Sequence, residues 1–208
     1  MTKAKTQPIH LKIILERIGF TEVMQEIRGN LQKYLPIMGG AFLEIRLLHT
    51  ADIHLDWLFE RYNRNSREER RREVAARFRQ IADIAIERSV HALLLAGDIF
   101  HGEAIAESTF QFFRLQIERL SQQGIWTLIV PGNHDPLVEG SYWTRRIFPE
   151  HAKVFTGTEW ECFSEIPGLE IWGLPFIPEN CRKRVVADLP KATTETHRKI
   201  APSARRLL

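Results

Sequence analysis

Apolar residues run through this chain in two alternating rhythms. Residues 42–49, 92–96 and 125–130 are short, nearly continuous hydrophobic runs with the length and composition of buried strands. Between them the apolar positions recur at helical spacing. Residues 67–88 place Val74, Phe78, Ile81, Ile84 and Ala85 on one stripe, and residues 106–122 do the same through Phe110, Phe113, Leu115 and Leu120. Strand, helix, strand, helix, strand predicts right-handed crossovers and a largely parallel inner sheet. Beyond residue 150 the segments shorten to 153–155, 160–165 and 169–174. These predict strands of a second, more antiparallel sheet packed on the first. Residues 1–37 form a separate extension, read either as a helical hairpin or as the product of a start site placed upstream of Met38. From about residue 188 the pattern dissolves into a basic, irregular tail.

Each of the first three predicted strands ends in a polar motif. The first is Asp52-Ile53-His54, the second Gly97-Asp98-Ile99-Phe100-His101, and the third Gly132-Asn133-His134-Asp135. Open α/β sheets place their ligands at the carboxyl ends of their strands, so the three motifs are expected to converge. Carboxylate, carboxamide and imidazole donors suit Mn, Mg, Zn or Fe. Two such ions side by side can clamp the attacking and leaving oxygens of a phosphate ester.

Asp52 and His54, two apart at a strand end, can both face one metal, although such a tripeptide alone also serves as a capped turn. Asp98 follows an apolar strand, where a carboxylate is costly to bury unless a cation or donors neutralise it. Its two oxygens make it the natural bridge between two ions. Asn133 offers a neutral carbonyl oxygen to a second ion. His134 is placed to protonate a leaving oxygen or to stabilise phosphate charge, and His101 to orient the phosphate. Gly97 and Gly132 permit tight backbone geometry beside the metals. The lone histidines His10, His91 and His151, and His49 within the first strand, read as structural.

Composition narrows the remaining classes. The 208 residues are 44% hydrophobic and 26% charged, ordinary for a globular protein with a real core. The apolar runs are strand-sized, which argues against a membrane span, and no signal-peptide pattern opens the chain. Only Cys162 and Cys181 are present, without paired spacing, which fits a reducing cytoplasm. The net charge of +3 is unevenly spread. Residues 61–79 hold eight arginines against three glutamates, and residues 182–208 hold eight Lys or Arg against two acids. Two basic segments on an acidic body suit a polyanion such as DNA, and equally suit a solvated helix face and a basic tail.

The motif set, in this order and on these strands, resembles the calcineurin-like metallophosphoesterase superfamily. Within it, Leu48-His49-Thr50-Ala51-Asp52-Ile53-His54-Leu55-Asp56 and Gly97-Asp98-Ile99-Phe100-His101 are similar to bacterial SbcD-type DNA repair exonucleases. Phosphatases of the superfamily carry an arginine soon after the second-motif Asp, where this chain has Ile99-Phe100-His101-Gly102. The resemblance covers about residues 42–178. It implies an α/β fold, a β-sandwich flanked by helices in α-β-β-α order, with the phosphoesterase domain over residues 38–187. It also implies Asp52 and His54 on a first metal, Asp98 bridging, Asn133 on a second metal, and His134 and His101 on the phosphate. The two divalent ions would be Mn2+ first, with Mg2+, Fe2+ or Zn2+ as alternatives. Hydrolysis would proceed by attack of a metal-held hydroxide in line with the leaving sugar oxygen.

Double-stranded DNA ends, a coiled-coil ATPase subunit and a second copy of the chain are the partners the resemblance suggests. The family pattern also calls for three later histidines, two of them in Gly-His-x-His, which this sequence lacks. The domain is therefore expected to be incomplete at its C-terminus, as in a truncated nuclease. Beside the DNA exonuclease stand two alternatives: a phosphoesterase acting on a small ester, and an inactive remnant.

Overall fold

A computed structural model of the chain describes residues 45–102, 105–145, 148–167, 169–178 and 198–200. The extension at 1–37 and most of the basic tail lie outside the described residues. Four strands form the inner sheet: β1 (Leu47–Thr50), β2 (Ala92–Ala96), β3 (Trp126–Val130) and β4 (Ala152–Val154), in that spatial order and all parallel. β2 is buried at every position because both of its faces are covered. Leu93 and Leu95 join a core with Leu48, Ile129 and the helices, whereas Ala92 and Leu94 join a second core with Leu47, Leu128 and Val130. This is the period of two expected of a strand, with both faces apolar.

Two helices cover one face. α1 (Arg64–Glu87) starts at Asn63, whose side chain accepts the Ser66 backbone N–H at 3.0 Å, satisfying one of the orphan donors of the first turn. Its C-terminal half buries Phe78, Ile81, Ala82 and Ala85, while its first turns project arginines into solvent. α2 (Glu107–Ser121) buries Phe110, Phe113, Ile117 and Leu120. The stripe differs from the predicted one by a single position. Leu115 is 55% exposed and Ile117 fully buried, because spacings of three and four carry the face from Phe113 past Leu115 to Ile117.

The other face packs on a second sheet of β5 (Glu161–Phe163), β6 (Leu169–Gly173) and β7 (Arg198–Ile200), with β5 antiparallel and β7 parallel to β6. Phe155, Phe163, Ile166, Leu169 and Ile171 fill the space between the sheets. Two expectations are corrected here. The segment predicted at 153–155 is β4 of the inner sheet and not a member of the second, because the chain from β3 makes one more crossover through α3 (Tyr142–Arg145). Within the stretch read as an irregular tail, residues 198–200 pair with β6; three residues held by a neighbour carry no periodic signal of their own. Of the expected α-β-β-α layers, the described residues supply helix, sheet and sheet. None of the described helices is long and apolar enough to cross a membrane.

Candidate metal centre

Strand register brings the three motifs together. Thr50 pairs with Leu95 and Ala96 with Val130, so the strands end level. The chain leaves each strand through a loop that bonds to its neighbour. The backbone N–H groups of Asp52, His54 and Leu55 donate to the carbonyls of Gly97, Asp98 and Ile99 at 3.1, 2.9 and 2.8 Å. His101 returns a bond to Leu55 O at 2.9 Å, and Gly102 donates to His134 O at 3.0 Å. The bends needed are sharp: Asp52, His54 and Asp98 have φ of 54°, 52° and 52°. Left-handed backbone at three non-glycine residues is held against its intrinsic cost by the surrounding bonds, a pattern concentrated at functional sites.

The side chains then form two overlapping groups. Asp52, His54 and Asp98 bring ligand atoms within 4.8 Å of one another, and so do His54, His101 and His134. His54 belongs to both. Its Nδ1 lies 3.1 Å from Nδ1 of His101, and its ring meets that of His134 edge-on at 4.9 Å. Burial, together with the His134 and His101 rings, holds the His54 imidazole below its ordinary range despite the pull of Asp98. Burial and the His134 ring do the same to His101. Both effects favour neutral imidazole, the form that ligates a metal. Asp98 is 8% exposed and accepts the His134 backbone N–H on Oδ1 at 2.9 Å. Among the described residues no Lys or Arg pairs with it. A carboxylate so placed, beside neutral imidazoles and without a cationic partner, suits a divalent ion.

Asp135 is the frame of the centre. It is fully buried, and its Oδ1 accepts from Gly132 at 2.6 Å and Asp98 at 3.0 Å, while Oδ2 accepts from Ile99 at 2.8 Å and Phe100 at 3.1 Å. Burial pushes its carboxyl up to about 7, against the backbone donors that favour the charged form. Gly132 closes against this knot: a Cβ there would overlap Asp98 Oδ1 and the Asp98 backbone nitrogen.

A sequence model of the calcineurin-like phosphoesterases matches residues 45–192. The chain belongs to that family. As its name states, that family groups phosphoesterases, enzymes that act on phosphoester bonds. It is 32% identical over 118 residues to the uncharacterized metallophosphoesterase YhaO of Bacillus subtilis, an alignment covering 54% of this chain and 28% of that protein. It is 25% identical over 156 residues to the DNA double-strand break repair protein Mre11 of Saccharolobus solfataricus, covering 75% of this chain and 40% of the relative. The Mre11 of Sulfolobus acidocaldarius gives 26% over 157 residues with the same coverages. The chain thus spans less than half the length of these relatives.

Against the family's expected ligand set, the fold gathers Asp52, His54, Asp98, His101 and His134 at one point. Asn133 lies beside His134 on the same loop with its side chain exposed. Two structural contributors had no role in the sequence reading. Asp135, though inside the third motif, gives no sign in sequence of being a buried acceptor. Asp56 accepts from Arg71 of α1 and, at 2.8 Å, from the backbone N–H of Ala106, the residue that caps α2. It ties the first motif to both helices, and its place two residues past His54 was the available signal.

Proposed function

We propose that this chain is a metal-dependent phosphodiesterase of the DNA exonuclease type, working through Asp52, His54, Asp98 and Asn133 as metal ligands. The observation that carries the reading is that Asp52, His54 and Asp98 gather at the ends of adjacent parallel strands, with the His101 and His134 rings against His54. A cation position flanked by imidazoles that are free to meet a phosphate suits in-line displacement at a phosphodiester. When bound, divalent ions, Mn2+ foremost, would neutralise phosphate charge and ease deprotonation of the attacking water. The protein's own part is positional. Asp98 is oriented by the His134 N–H, His101 is oriented by its bond to His54, and the exposed His134 ring is the group to protonate the leaving oxygen. The similarity to Mre11 proteins supports DNA as the substrate. DNA ends, a coiled-coil ATPase subunit and self-association are partners consistent with that reading.

Hydrolysis of bis(p-nitrophenyl) phosphate, with Mn2+ and with EDTA, tests the reading beside an Asp98→Asn control. Metal-dependent turnover lost in the control supports it; equal inertness of two folded proteins sinks it for this chain.

One observation favours a smaller ester. Several of the arginines at 61–79, expected to meet DNA, already have an acidic or carbonyl neighbour at the surface, which lowers the free positive charge they offer. Arg71 pairs with Asp56, Arg70 with Glu73 at 2.7 Å, Arg72 and Arg64 with Glu68 at 3.8 and 4.0 Å, and Arg67 donates to the Glu60 and Tyr62 carbonyls at 2.6 Å. A small-ester enzyme would bind duplex DNA no more tightly at low salt than at high salt; a nuclease would show a steep salt dependence.

A further inference from the structure

We infer that Trp57, with Phe59 and Tyr62, forms a stacking platform for an unpaired nucleobase of the DNA strand whose phosphate occupies the metal centre. The inference rests on the phosphodiesterase reading above and adds how the strand is held.

Of the four large hydrophobic residues most exposed among those described, three fall in one six-residue stretch: Trp57 at 43%, Leu58 at 56% and Tyr62 at 47%. That stretch begins three residues after His54. Its rings do not scatter. His134 stacks on His101 with centroids 4.7 Å apart and planes 21° apart, His101 on Trp57 at 4.9 Å and 20°, and Trp57 on Phe59 at 4.9 Å and 23°. Tyr62 meets Phe59 edge-on at 6.1 Å. Near-parallel planes at these separations are offset stacks, which leave part of each face open. Trp57 lies between His101 and Phe59 in this column, so a planar group would meet the part of the indole that the two offset rings leave uncovered, one ring away from a phosphate at His101.

The backbone carrying these rings is fixed although the rings are wet. Asp56 and Phe59 hold φ of 68° and 49°, Tyr62 N–H bonds Phe59 O at 2.9 Å, and Arg67 clamps the Glu60 and Tyr62 carbonyls. Asp56 anchors the start of the stretch to α1 and to the cap of α2. Aromatic side chains held partly exposed on a strained, braced loop have the preorganisation a stacking surface requires. Paired bases are already stacked and offer no face, so the partner is a base in a single-stranded stretch.

The test is equilibrium binding, read independently of hydrolysis. Fluorescence anisotropy of a labelled oligothymidylate and of an abasic oligomer of equal length is measured with Ca2+ in place of Mn2+, and with uncleaved probe checked by gel, for the wild type, Trp57→Ala, Trp57→Phe and Tyr62→Ala. The wild type should prefer the base-bearing strand by about fivefold or more, the effect of one stacked base. Trp57→Ala should lose most of that preference and Trp57→Phe should keep it; folding is checked by near-ultraviolet circular dichroism. Equal affinity of the wild type for the two strands, or an undiminished preference in folded Trp57→Ala, overturns the inference. Turnover of bis(p-nitrophenyl) phosphate on the same wild-type sample reports the phosphodiesterase reading separately. A base preference without turnover would refute only that reading, and turnover without a preference only the platform.

Discussion

Asp135 Oδ1 accepts the backbone N–H of Asp98 at 3.0 Å, so a buried carboxylate on the third strand's loop holds the candidate bridging ligand on the second. Asp135→Asn puts an amide donor against backbone donors and leaves at least one buried N–H unsatisfied. Chemical denaturation should show a loss of about 2 kcal/mol or more. An unchanged midpoint would mean that the loops are held by something else.

Gly132→Ala tests the closeness of the second and third loops. The added methyl meets Asp98 backbone as well as its side chain, and backbone cannot swing aside. A cost of roughly 1–3 kcal/mol is expected from overpacking, with Mn2+ affinity falling because Asp98 is the atom group displaced. Calorimetric titration of the metal alongside thermal melting separates the two effects.

The phase of α2 is checked by a pair of truncations. Ile117→Ala removes a fully buried side chain and should cost about 2–5 kcal/mol, whereas Leu115→Ala, at 55% exposure, should stay within about 0.5 kcal/mol. Comparable losses would return the helix to the phase expected from sequence.

A pH dependence is expected at the loop before β5. Burial works against the Glu161 carboxylate, but its bonds from Lys153 at 2.7 Å and from the Thr156 and Gly157 N–H groups outweigh it and hold the group below its ordinary range. A carboxyl depressed in the folded state adds stability above its unfolded pKa and loses it as pH falls through the folded one. Glu161→Gln should therefore be the less stable protein at neutral pH, by no more than about 1 kcal/mol for so accessible a pair. The gap should close as pH drops below the unfolded value of about 4.3. A gap that persists in acid would assign the difference to shape and not to charge.

What could be read from sequence divides along physical lines. β2 was legible residue for residue because a strand covered on both faces is a continuous apolar run, and its neighbours followed from the same signal. That the three polar motifs would meet was legible because they follow directly on such runs and the strands end level. β4 was misplaced because three half-buried residues look alike whether they close one sheet or open another. In α2 the Phe- and Leu-rich surface admits two stripes, and only packing chooses between Leu115 and Ile117. The role of Asp135 was hidden because its four donors are backbone groups, which every sequence has. The engagement of the arginines of α1 was hidden in the same way: a run of charge shows its sign and not its partners.

The loops that carry the candidate ligands are bonded to one another as well as to their own strands: 52 to 97, 54 to 98, 55 to 99, 101 to 55 and 102 to 134. None of them can breathe alone. In hydrogen exchange these amides would open as one cooperative unit, with a single opening free energy close to that of the inner sheet. A metal captured there would slow the exchange of all of them together.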